Sequence, residues 1–146
     1  MLSTEAQILM SNGTTKSISS IKVGDLIINK LNNSVKVITT HICTENSVAV
    51  QFNNGTGIFY CSPTTLFLNH TTLTNGSHTS NYCTINNALS DNVKLKNSAK
   101  IFSPESDIEI INYDNTNVIK ELYCIHTNES SMSYFANGVI VKCNED

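Results

Sequence analysis

Thiols and imidazoles are the most reactive groups in this sequence, and both are few. There are five cysteines (Cys43, Cys61, Cys83, Cys124, Cys143) and four histidines (His41, His70, His78, His126). Two of each fall into a matched pattern, His41-Ile42-Cys43 and Cys124-Ile125-His126. Side chains two apart share one face of a strand, so each tripeptide aims an imidazole and a sulfur in the same direction. Two such strands facing one another would assemble the Cys₂His₂ set that holds zinc. The short Cys-x₂₋₄-Cys knuckle of zinc modules is missing, however, and strand residues at i and i+2 share a face whatever their chemistry. We therefore expect no metal and no cofactor. His70 and His78 lie in a polar stretch and read as solvated loop residues. The odd, irregularly spaced cysteines do not form the even, dense framework of a small secreted domain. They read as reduced thiols, with buried ones acting as small hydrophobes.

The elements that would position these groups are strands. Period-two alternation dominates, and no segment keeps a helical period for three turns. Strands are expected at Gln7–Met10, Asp25–Lys30, Ser34–Cys43, Val48–Phe52, Gly57–Cys61, Asp107–Asn112, Asn117–His126 and Val139–Lys142, with Leu66–Leu68 as a further short one. Four Asn-Gly pairs begin at Asn12, Asn54, Asn75 and Asn137. Both residue types tolerate the positive φ that tight hairpin turns demand. Residues 69–100 are polar and variable in character, and they divide a single domain spanning 1–146 into comparable halves. The halves echo one another. Residues 35–43 can be set against 118–126, and Ile18-x-x-Ile21 before Gly24-Asp25 against Ile85-x-x-x-Leu89 before Asp91. A duplicated β unit folded about a pseudo-two-fold axis gives such a pattern.

Composition removes several classes of function. The chain has 146 residues, long enough to bury roughly two thirds of its unfolded surface, with a net charge of −3 and only 14% charged residues. All nine basic residues are Lys, while Asn, Ser and Thr make up 53 of the 146. Without Arg there is no bidentate fork for phosphate or guanine, and the negative balance opposes a polyanion, so no nucleic-acid partner is expected. No apolar run approaches the roughly 20 residues of a membrane span, and MLSTEAQILM lacks the charged start and long apolar core of a leader. A cytoplasmic, intracellular protein is expected, and the six Asn-x-Ser/Thr sequons carry little weight. The excess of Asn and Ile without Arg or Trp suggests an AT-rich genome, as in some large DNA viruses.

Three segments then resemble one family. They are Ala6–Gly13 with Lys16-Ser-Ile18-x-x-Ile21-Lys-Val-Gly-Asp25; Gly57–Leu68, containing Ser62-Pro63-Thr64-Thr65; and Glu121–Thr127 followed by Tyr134-Phe-Ala-Asn-Gly-Val-Ile-Val141-Lys142-Cys143. In order and spacing they are similar to the Hint domains of inteins, bacterial intein-like domains and hedgehog autoprocessing domains. The resemblance spans essentially the whole chain. It implies an all-β, horseshoe-like fold with pseudo-two-fold symmetry and both ends of the domain meeting at a central site.

In that family a Cys or Ser at the first position attacks the preceding carbonyl, and the His of a Thr-x-x-His motif protonates the leaving amine. An Asp or Cys after the Tyr of the third segment assists, and a closing His-Asn pair lets the Asn amide cyclise. The chemistry needs a nucleophile, a proton shuttle and an oxyanion partner in contact. Carried over residue by residue, the nucleophile position falls on Met1, whose thioether cannot attack. Ser62 keeps a hydroxyl, but Thr65 stands where an imidazole is required. Cys124 occupies the Asp-or-Cys position. Lys142-Cys143 replaces His-Asn. No catalytic residue is therefore expected; Met1, Ser62, Thr65, Cys124, Lys142 and Cys143 are relic positions. The resemblance implies a non-catalytic structural or protein-binding module in a larger assembly, such as a minor virion or capsid component of a large DNA virus, without a small-molecule substrate. The alternative is a self-processing domain that retains cysteine chemistry at Cys124 or Cys143.

Overall fold

The computed structural model describes residues 1–72, 74–99 and 104–142. In chain order the elements are β1 (Gln7–Leu9), β2 (Thr15–Ser17), a 3₁₀ turn (Ile18–Ser20), β3 (Leu26–Ile28), β4 (Ser34–Phe52), β5 (Phe59–Cys61), β6 (Leu66–Thr72), β7 (His78–Cys83), α1 (Ile85–Ser90), β8 (Lys94–Lys96), a 3₁₀ turn (Pro104–Ser106), β9 (Asp107–Ile108), β10 (Ile110–Thr127), β11 (Ser133–Ala136) and β12 (Val139–Lys142). No helix among the described residues is long and apolar enough to cross a membrane.

Two sheets organise the molecule. One runs β2-β1-β11-β12-β6-β8-β9, with β7 also paired to β6; the other runs β10-β4-β3, with β5 also on β4. The expected strands at Ser34–Cys43 and Val48–Phe52 are one continuous strand, β4. The polar residues between them pair without interruption, as Thr44↔Glu121, Glu45↔Lys120 and Asn46↔Ile119. A two-stranded ribbon with both faces in water needs no apolar alternation, so its middle carried no period-two signal.

The polar stretch expected at 69–100 also joins the sheet. β6 extends through Thr72, pairs with β7 from Phe67↔Cys83 to Thr72↔His78, and pairs with β8. His70 and His78 are therefore strand residues, a correction to the loop reading. The segment holds one unexpected helix, α1, too short to show a period. The Thr84 side chain caps it by accepting the Asn87 N–H, one of the backbone donors a helix start leaves without an intrahelical partner. The first 3₁₀ turn is capped likewise, Ser17 accepting from Ser19 N–H. Ile18 and Ile85, matched in the sequence echo, are both buried, whereas Leu89 is exposed and Ile21 is not.

The core is built where the sheets meet. Phe52, Phe59 and Phe67 are fully buried, with ring centroids 5.4, 6.0 and 6.5 Å apart in tilted and edge-on arrangements. Such pairing adds to simple area burial. The segment before β1 is threaded into this frame: Leu2 donates to Tyr123 O at 2.9 Å and accepts from Tyr123 N at 2.7 Å, while Ser3 N donates to Tyr60 O at 2.8 Å. Leu2 itself is fully buried.

The turn expected at Asn137-Gly138 is present. Both residues have positive φ, 49° and 79°, and β11 and β12 pair up to Ala136↔Val139, a two-residue hairpin of the primed type. Asn137 fixes more than the turn. Its Oδ1 accepts from Gln7 N at 2.8 Å, and its Nδ2 donates to Gly57 O at 3.1 Å.

Candidate functional site at the start of the sixth strand

Ser62 and Thr65 lie in the tight turn between β5 and β6, closed by a Thr65 N–H bond to Ser62 O at 3.1 Å. Both are buried, and their hydroxyls are 2.7 Å apart. Together they grip Met1. The Met1 backbone nitrogen donates to Thr65 Oγ1 at 2.8 Å and to Ser62 Oγ at 3.4 Å. The Met1 carbonyl accepts from Ser62 N at 3.0 Å and from Thr65 Oγ1 at 3.1 Å. Lys142 pairs with Leu66, the next residue of β6. The start of β6 thus gathers Met1, Ser62, Thr65 and Lys142, four of the positions that the family resemblance marks.

Thr65 touches the backbone nitrogen that a leaving-group acid would have to protonate. The group it offers is a hydroxyl, which does not titrate near neutral pH as an imidazole does. The Met1 side chain turns away, packing with Leu122, Cys124 and Cys43; its Sδ accepts from Cys43 Sγ at 3.2 Å. Lys142 Nζ lies 5.4 Å from the ring centroid of Tyr82, and Lys30 Nζ 5.7 Å from the same ring. Both are cation–π contacts. Burial, together with the nearby Glu129 carboxylate, pushes the Tyr82 hydroxyl up to about 12. Cys61, fully buried beneath the same turn, is pushed up to about 12 by burial, an unreactive thiol.

Cys124 corrects one expectation: it is disulfide-bonded, not a thiol. Cys43, Cys61 and Cys83 are thiols, and Cys143 lies outside the described residues. An odd cysteine count disfavours a framework of several bridges but does not forbid a single one, which is why the sequence misled here.

The four residues of the two tripeptides do come to one face. His41 pairs with Cys124, Cys43 with Leu122, and His126 with Thr39; alternation along each strand puts all of them on the same side of the β4–β10 ribbon. Cys124 Sγ is 3.7 Å from His126 Nε2, the His41 and His126 rings stand edge-on with centroids 5.4 Å apart, and His126 Nδ1 lies 3.1 Å from Thr39 Oγ1. No group of three or more His, Cys, Asp or Glu side chains among the described residues is gathered closely enough to hold a metal. What sequence reasoning missed was the grip on Met1 by backbone and hydroxyl groups, since any Ser or Thr could supply it.

No protein-family model and no curated protein matches the sequence. Solved structures do match along its whole length. The MchDnaB-1 intein is similar with a TM-score of 0.70 at 12% identity, covering 98% of this chain and 100% of that one. The gp41-1 intein is similar with a TM-score of 0.67 at 19% identity, covering 97% of each chain. The DnaB intein from Synechocystis sp. PCC 6803 is similar with a TM-score of 0.64 at 15% identity, covering 99% of this chain and 98% of that one. With its two antiparallel sheets, its long ribbon and Met1 brought beside Lys142 at the start of β6, the chain has the Hint fold of the inteins.

Proposed function

We propose that this chain is a non-catalytic Hint-fold module, serving as a structural or protein-binding component of a larger intracellular assembly. One observation carries the reading. The group that meets the Met1 nitrogen where an intein places its proton donor is the Thr65 hydroxyl, at 2.8 Å. Met1 in the nucleophile position and Lys142 in place of the penultimate His point the same way. The Arg-free, weakly charged surface suits protein contact rather than nucleic acid. Ile42 and Ile119, 60% and 68% exposed, add apolar surface on the ribbon that a protein partner would cover. The Asn- and Ile-rich composition favours the virion of a large DNA virus as that assembly.

Reporter domains fused before Met1 and after Asp146 test the inactivity. Incubated with and without a strong thiol and followed by intact mass, both reporters stay attached over days. An unassisted thiol is only a few per cent ionised near pH 7, given an ordinary pKa of about 8.5, and the amine would leave without a proton donor. Thiol-dependent release within hours that disappears in Cys124→Ala would place the protein among the self-processing domains instead.

A further inference from the structure

The middle of the ribbon has an edge that the fold leaves open, and it deepens the protein-binding reading, on which it rests, by naming a partner. We propose that two copies of this chain pair edge to edge along β4, antiparallel about a two-fold axis at Ile42. The direction of the backbone groups follows from Tyr123. Its N–H and its C=O both bond to Leu2, at 2.7 and 2.9 Å, so they point away from β4. Its cross-strand partner Ile42 therefore turns its own N–H and C=O away from β10, as an antiparallel ladder requires. By the same alternation, so do Thr40, Thr44 and Asn46. On that side β4 meets other backbone at Val37, bonded to Gly24 and Asp25, and again at Val48, paired with Cys61. Between these points the outer edge of β4 has no main-chain partner among the described residues, and Thr40, Ile42, Thr44 and Asn46 are all exposed.

Proteins ordinarily blunt such an edge by shortening it, charging it or covering it. Elsewhere this chain does so. β2 has three residues and carries Lys16, β9 has two and carries Asp107, and Leu2 covers β10 at Tyr123. The β4 edge is long, its outward-bonding residues bear no charge, and its β-branched Thr and Ile suit a paired strand. A second copy fits because the open stretch is its own complement. Centred on Ile42, the pairing sets Ile42 against Ile42 of the second copy, and Thr40 against Thr44 of the second copy. On the opposite face His41 meets Cys43 of the second copy, and Thr39 meets Glu45 of the second copy. No two like charges are opposed. Exchange of both main-chain bonds at Thr40, Ile42 and Thr44 gives about six bonds between the chains. Ile42, Tyr123 and Ile119 share one face of the ribbon, so the two apolar patches merge across the axis, the same patch from each copy.

Sedimentation equilibrium and residue-resolved amide exchange test this on the full chain. So small an interface is expected to give a weak dimer, with Kd on the order of 10–100 μM, so the mass doubles between ~1 μM and ~1 mM. Over that range the amides of Thr40, Ile42 and Thr44 become protected. Those of His41, Cys43 and Glu45, already bonded within the ribbon, do not change. Ile42→Lys sets two ammonium groups face to face and raises Kd on the order of tenfold or more. Thr44→Pro removes an outward N–H and leaves the ribbon's own bonds intact, with the same result. Ile119→Lys, on the same face but on β10 and away from the edge, keeps Kd within about threefold. The proposal is overturned by a mass that stays that of one chain at ~1 mM, or by a dimer that survives both edge variants. A dimer broken as readily by Ile119→Lys as by Ile42→Lys would be face-to-face packing, and overturns it too. So does protection of the three amides in a chain that remains a monomer. The reporter fusions answer separately: cleavage there ends the reading of inactivity and leaves the pairing standing.

Discussion

The β4–β10 ribbon and the seat of Met1 at the start of β6 solve the problem of holding backbone in place by different means. Along its middle the ribbon is held by main-chain pairing, from Cys43↔Leu122 to Ser47↔Val118, with Ile42 and Ile119 left in solvent. The seat is held by packing and by buried polar contacts: Leu2 is sealed between β5 and β10, hydroxyls meet the Met1 backbone, and an aromatic trio lies beneath. Where backbone alone carries the structure, side chains are free to vary. Where side chains carry it, substitution should be costly. Of the positions that the resemblance marks, Met1, Ser62 and Thr65 lie on the second kind of ground, and Cys124 packs against Met1 from the ribbon.

Four substitutions sharpen that contrast. Phe67→Ala removes a ring packed against Phe52 and Phe59 and should cost about 3–5 kcal/mol, seen as a large fall in the denaturant midpoint; a loss under half of that would mean the trio repacks. Gly138→Val comes next. Gly138 has φ 79°, and an added Cβ would lie 2.8 Å from Asn54 Nδ2, the group that donates to Asn137 O. About 1–3 kcal/mol is expected from strain at that turn, and an unchanged melting temperature would show that the hairpin can shift.

A smaller, pH-dependent effect belongs to Asp25. The backbone N–H of Lys22, at 2.9 Å, holds its carboxyl below the ordinary range against the opposing pull of burial, with Lys16 at 3.2 Å assisting. Because the folded value is depressed, this stabilisation is present above the unfolded pKa of about 3.9 and is lost as pH falls through the folded value. Wild type should therefore exceed Asp25→Asn by under about 1 kcal/mol near pH 6, with the two converging toward pH ~2; parallel curves would remove Asp25 from the account. Ile42→Thr, on the open ribbon, should stay within about 0.5 kcal/mol of wild type. A larger loss would show the ribbon packed against something.

The same division explains what the sequence revealed. Phe59–Cys61, with one buried face, announced itself by alternation, Val139–Lys142 by a continuous apolar run buried on both faces, and Asn137-Gly138 marked its own hairpin. The ribbon's middle, Thr44-Glu45-Asn46, was illegible as a strand because its pairing depends on residues some 75 positions away and on no apolar face. β7 and α1 were hidden for a related reason: Asn81, Asn86 and Asn87 carry no periodic signal. At the site, the residue types were readable and their assembly was not. Ser62 and Thr65 could be named from a motif, but that both oxygens turn on Met1 follows from the turn between β5 and β6. The disulfide at Cys124 was invisible because pairing is a property of distance.

The ribbon also sets the pace at which the chain can fold. Its partners are remote, Val50 pairing with Tyr113 and Val37 with Thr127, so ordering must close loops of many tens of residues before any rung forms. Domains dominated by such contacts fold in milliseconds to seconds rather than microseconds. Alignment matters as much as closure. A slip of one rung would exchange the faces, sending Ile42 and Thr44 to the side that now carries His41 and Cys43. The offsets between Ile110 and Asn112, between Asp114 and Val118 and between His126 and Thr127 interrupt the ladder. A displaced strand cannot satisfy them, and they lock the two strands to a single alignment.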